Sequence, residues 1–124
     1  MMRYKHVLML DPRFGDSTAT MGVFPPTGLE YIAASLKGLV DKITLLDLRY
    51  EKAYRDPKAL SRFIRSEIDL VCIGIQWDAR FESICDFISQ LPAEITTVVG
   101  GRKATEEVDY LFTRCPNIDM IVRG

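Results

Sequence analysis

Ile95-Thr96-Thr97-Val98-Val99-Gly100-Gly101 is a β-branched, apolar run that stops on two glycines. Such a run reads as a buried parallel strand, and the carboxyl ends of these strands are where open α/β sheets hold ligands. Gly100 and Gly101 free the backbone to turn with positive φ, and without side chains they let a flat ligand or a phosphate approach the main chain. A tight strand-to-helix turn uses the same glycines, so the pair alone leaves both readings open.

Working outward from that strand, the chain alternates between apolar runs and helical patterns. Val7-Leu8-Met9-Leu10, closed by Asp11-Pro12, is the first strand. A long loop follows, from Pro12 to Pro26, and its hydroxyl-rich part around Ser17, Thr18 and Thr20 suits either a polar ligand edge or a solvated loop. Thr27 with Glu30 forms a capping box, and Leu29, Ile32, Ala33 and Leu36 supply a helical apolar face. Ile43 to Leu46 is the second strand, ending at Asp47. An acid there grips a ribose in dinucleotide folds, but no Gly-x-Gly-x-x-Gly follows the first strand.

Asp56-Pro57 starts another helix, with Leu60, Phe63 and Ile64 facing inward. Leu70 to Ile75 is the third strand, a continuous apolar run expected to be central and covered on both faces. It leads into Gln76-Trp77-Asp78-Ala79-Arg80, where the only tryptophan either stacks on a planar ligand or plugs the crevice. Phe81, Ile84, Cys85 and Ile88 mark a third helix that Pro92 closes. After the double glycine, Thr105-Glu106-Glu107 is expected to cap a fourth helix, with Val108, Leu111 and Phe112 inward. Met120-Ile121-Val122 is the fifth strand, and no helix pattern follows to cover it. The expectation is one domain spanning residues 1–124, the amino-terminal piece of a longer protein.

Five strands alternating with helices give a parallel sheet, and the length suits the flavodoxin-like, doubly wound α/β order 2-1-3-4-5. In that order the crevice opens between the carboxyl ends of the first and third strands. The loops at Asp11 to Phe24, Gln76 to Arg80 and Gly100 to Lys103 converge on it, which makes this rim the expected ligand site.

Composition narrows the function classes. The 124 residues carry 27% charged and 48% hydrophobic side chains with a formal net charge of -1, and their basic residues are scattered. That balance gives no footing for nucleic acid. The amino terminus holds an apolar run too short for a signal peptide or a membrane span, so the chain is read as cytoplasmic. Cys72, Cys85 and Cys115 are widely spaced and form no Cys-x-x-Cys pair; Cys72 and Cys85 read as small core residues rather than metal ligands. His6 lies before the first strand at the end opposite the rim and is expected at the surface or an edge. With no acid–base pair, activated nucleophile or metal cluster in the pattern, the domain is not expected to catalyse a reaction alone.

Phe24-Pro25-Pro26-Thr27-Gly28-Leu29-Glu30-Tyr31-Ile32-Ala33-Ala34-Ser35-Leu36, then Leu45-Leu46-Asp47, Asp69-Leu70-Val71-Cys72-Ile73-Gly74-Ile75, Val98-Val99-Gly100-Gly101 and Ile118-Asp119-Met120-Ile121-Val122-Arg123-Gly124 come in an order and spacing with a precedent. Together they resemble the amino-terminal cobalamin-binding domain of cobalamin-dependent radical S-adenosylmethionine enzymes. The resemblance implies a corrinoid over the strand ends. It also implies a following barrel that holds S-adenosylmethionine and a 4Fe-4S cluster on a three-cysteine motif, in a methyltransferase or ring-forming enzyme. Pro25, Pro26 and Gly28 would wall the corrin, and Gly100 and Gly101 would lie beneath it or its nucleotide tail. Asp11, Ser17, Thr18, Gln76, Trp77 and Arg102 complete the candidate contacts.

The chain departs from that pattern where Gln76-Trp77 and Arg102-Lys103 stand in place of smaller residues or Pro-His. It departs again at Asp11-Pro12-Arg13-Phe14-Gly15-Asp16, where arginine takes the place of a cobalt-binding histidine, and a guanidinium has no lone pair to donate. Two readings from other classes remain: a flavin- or nucleotide-binding module that uses the hydroxyl loop for phosphate, and a ligand-free docking domain of the same fold. A receiver domain shares the strand order, but Asp11 and Asp78 match its acidic positions poorly.

Overall fold

The computed structural model describes residues 4–12, 34, 37–75 and 80–123. Its five strands are β1 (His6–Asp11), β2 (Lys42–Asp47), β3 (Leu70–Gly74), β4 (Thr96–Gly100) and β5 (Met120–Ile121). They form one all-parallel sheet in the order β2-β1-β3-β4-β5, the flavodoxin-like arrangement expected from the sequence. The helices are α1 (Pro57–Glu67), α2 (Phe81–Ser89), α3 (Arg102–Glu106) and α4 (Val108–Arg114), with a 3-10 turn at Lys52–Arg55. Of the helix predicted from Thr27, Ala34 alone is among the described residues, and it is helical.

Local chemistry sets these elements. The Asp56 side chain accepts from the Lys58 N–H at 3.1 Å and Pro57 occupies the first turn, so α1 begins where a cap and a preset φ coincide. It ends at Ile68, whose extended backbone (φ -109°, ψ 137°) turns the chain into β3. From β2 onward every step moves the same way across the sheet, so right-handed crossovers place α1 to α4 on one face. There Leu60, Ile64, Ile84, Cys85, Ile88, Ala104 and Leu111 pack on Leu8, Leu10, Val71, Ile73 and Val99. The side chains that alternate with these, Val7, Met9, Ile43, Leu45, Leu70 and Cys72, gather on the second face. All six residues of β1 are buried, because it lies inside the sheet and is covered on both faces.

Several expectations need correction. β3 is central, yet its burial alternates: Val71 and Ile73 are sealed on the helical face, whereas Leu70, Cys72 and Gly74 are half-buried on the other. Thr105 does not cap a helix. It lies inside α3, where its hydroxyl donates to the Gly101 carbonyl at 3.0 Å, because the helix starts at the double glycine. Glu107 (φ -123°, ψ 37°) breaks the helix, and α4 restarts after it. Phe112 points outward at 41% exposure, since Leu111 and Cys115 take the buried stripe one step around the helix. His6 is not a surface residue: it is 8% exposed, with Nε2 2.7 Å from the Thr44 hydroxyl and its ring edge-on to Phe63.

Candidate functional site at the carboxyl edge of the sheet

The register aligns the strand ends. Asp11 pairs with Asp47, Leu10 with Ile73, Gly74 with Gly100 and Val99 with Ile121. One residue beyond the last two β1–β3 and β4–β5 pairs, the row reads Asp47, Asp11, Gly74, Gly100, Val122. Alternation puts this row on the second face, the same one as Met9, Leu45 and Cys72. The row therefore sets two carboxylates on one side of the edge and two glycines on the other.

The acidic half is held rigidly. Asp47 accepts from the Arg49 backbone N–H at 3.0 Å and from its guanidinium, with Nη2 2.6 Å from Oδ2; the side chains are 13% and 6% exposed. The hydrogen bond that Arg49 donates to Asp47 raises the pKa of Arg49 against the cost of burial, and the charges of Asp47 and Asp11 act in the same direction. Arg55 secures the strand exit, donating from Nε to the Leu48 carbonyl at 2.6 Å and from Nη2 to the Arg49 carbonyl at 2.9 Å. With both oxygens of Asp47 on Arg49, its geometry is that of a loop fastener, not of a ribose-gripping acid. Asp11 is 4% exposed, and its carbonyl accepts from the Leu48 N–H at 3.1 Å.

The glycine half presents half-buried backbone without side chains. Gly101 has φ 106° and ψ 172°, a conformation reserved for glycine, and launches α3. Gly100 is different: its φ is ordinary, and among the described residues a Cβ built there would meet the Val122 Cβ at 3.8 Å and the Val122 carbonyl at 3.9 Å, both at ordinary contact distance. Neither backbone strain nor crowding among the described residues demands glycine at position 100. A glycine within a strand weakens it, and a bulge, a tight bend or the close approach of a ligand or another backbone are the usual reasons for one.

Arg102 and Lys103 part company. The Lys103 N–H donates to the Ile75 carbonyl at 3.0 Å, and its side chain, 15% exposed, turns to the helical face, with Nζ 4.9 Å from the centre of the Phe81 ring and 3.4 Å from Glu107 Oε1. It does not occupy the rim. Arg102 stands in solvent at 79% exposure, 3.7 Å from Glu106.

Of the residues singled out in the sequence, Asp11, Gly100, Gly101 and Arg102 are described, and the first two share the row. Ser17, Thr18, Pro25, Pro26, Gly28, Gln76 and Trp77 lie outside the described residues. Sequence reasoning missed Gly74 as a site residue and Arg49 altogether; the period-two parity that places Gly74 beside Gly100 needs the register before it can be read. His6 sits at the opposite end of β1, five residues from Asp11 and so about 16 Å away at ~3.3 Å per residue. Among the described residues, no group of three His, Cys, Asp or Glu side chains could hold a metal ion, and no helix is long and apolar enough to cross a membrane. No family model, curated protein or solved structure matches the chain.

Proposed function

We propose that this chain is a cobalamin-binding domain of a radical S-adenosylmethionine protein, with the corrinoid seated on the second face over the carboxyl ends of β1, β3 and β4. The observation that carries the reading is Gly100, a strand glycine beside Gly74 that the packing of the described chain leaves room to replace. A planar macrocycle or its nucleotide tail needs such a bare edge. Asp11, buried at the same edge, would lie beneath the ligand, and Gly101 would carry the backbone clear of it. With His6 engaged on Thr44 at the far end, no imidazole among the described residues would bind the cobalt. When bound, the corrinoid would supply transfer chemistry at its metal. This chain's residues bind and orient it, and catalysis belongs to a barrel carrying the iron–sulfur cluster and S-adenosylmethionine.

A ligand-free docking domain is the second reading, favoured by Met120 and Val122, which stand 57% and 51% exposed on β5 and just after it. Gel filtration of the chain after mixing with hydroxocobalamin separates the two. The first reading predicts a corrinoid spectrum in the protein peak, in the wild type or, if Trp77 fills the crevice, in Trp77→Ala. A colourless peak from both proteins favours the second.

A further inference from the structure

Cys85 lies on α2, Cys115 directly follows α4, and both side chains are fully buried. The Cys115 thiol donates to the Cys85 carbonyl at 3.3 Å, which sets the two cysteines side by side. Beside them runs a polar clasp. Arg114 reaches from α4 to Glu82 at 3.2 Å and to Asp86 on α2, and the Tyr110 hydroxyl donates to Glu82. Glu82 and Asp86 flank Cys85 along its helix, and Arg114 immediately precedes Cys115, so the ion pairs tie together the segments that carry the two thiols.

We propose that Cys85 and Cys115 are a latent dithiol, which a peroxide converts to a disulfide when the Arg114 clasp opens. One thiolate attacks a peroxide oxygen, giving a sulfenic acid and, after protonation, water. The second thiol then attacks the sulfenic sulfur, forming the S–S bond and releasing a second water. Two thiols and one hydrogen peroxide thus yield one disulfide and two waters. Burial pushes the Cys85 thiol up to about 12 and raises Cys115 as well, so the closed pair is protonated and inert at neutral pH. Opening hydrates the thiols, removes that penalty and admits the oxidant. The clasp is therefore the gate, and the bond would fasten α2 to the segment leading into β5.

The test treats the full chain with graded hydrogen peroxide and follows intact mass and non-reducing peptide maps. The expected product has lost two hydrogens, links Cys85 to Cys115, reverts with a thiol reductant and still forms in Cys72→Ser. Arg114→Ala should form it several-fold faster; if that variant does not fold, Asp86→Asn loosens the same clasp more gently. Links through Cys72, over-oxidised thiols without a link, or an unchanged rate in a folded clasp variant would each overturn the proposal. None of these outcomes depends on corrinoid binding.

Discussion

Gly100 and Gly101 are neighbours with different reasons to be glycine. At Gly101 the backbone itself requires it, and Gly101→Ala should cost about 1–3 kcal/mol, read as a lower midpoint in urea unfolding. Asp69 shows a third kind of constraint. Its carboxylate accepts the Lys5 N–H at 2.7 Å and the His6 N–H at 3.0 Å, joining the start of β1 to β3. Burial pushes its pKa up, but those two hydrogen bonds and the nearby His6 outweigh burial and hold it below the ordinary carboxylate value. A lowered pKa gives stability that is present above the unfolded value and is lost as pH falls through the folded one. Asp69→Ala should cost about 1–2 kcal/mol near neutral pH, and thermal melts should show the gap from wild type closing on acidification.

At the scale of elements, the sequence was legible wherever one local signal dominated. The apolar runs marked all five strands to within a residue or so, and Asp56-Pro57 marked the start of α1. Asp56→Ala should remove one cap, at about 1 kcal/mol or a few degrees of melting temperature, measurable by circular dichroism. The sequence misled where two signals competed. Thr105-Glu106-Glu107 has the composition of a cap, but α3 starts at Arg102, three residues before Thr105, and the Thr105 hydroxyl donates back to the Gly101 carbonyl. Phe112 is apolar enough for a core, yet Leu111 claims the inward position on so short a helix. His6 was placed outside because it precedes the apolar run, whereas β1 begins with it and Thr44 satisfies its ring.

For the whole molecule, the order β2-β1-β3-β4-β5 turns scattered residues into a site. Asp11 and Gly100 are 89 positions apart in the chain and share one row at the sheet edge. Strand ends could be read from the sequence, so those two residues were legible as candidates. Their common face was not, because parity across the β1–β3 and β3–β4 pairs depends on register. The described helices all cover one face, and the second face offers the row of carboxylates and glycines as its carboxyl edge. The central claim is that this bare edge receives a corrinoid, and Gly100→Leu tests it most directly by filling the gap toward Val122 with a side chain. Wild type and variant, both shown to be folded, are mixed with hydroxocobalamin, passed over gel filtration and scanned in the visible range. The account predicts a corrinoid spectrum on the wild type, or on its Trp77→Ala form, that is lost when Gly100→Leu is added to the same background. Equal colour with and without Gly100→Leu, or a colourless peak from both wild type and Trp77→Ala, would contradict it.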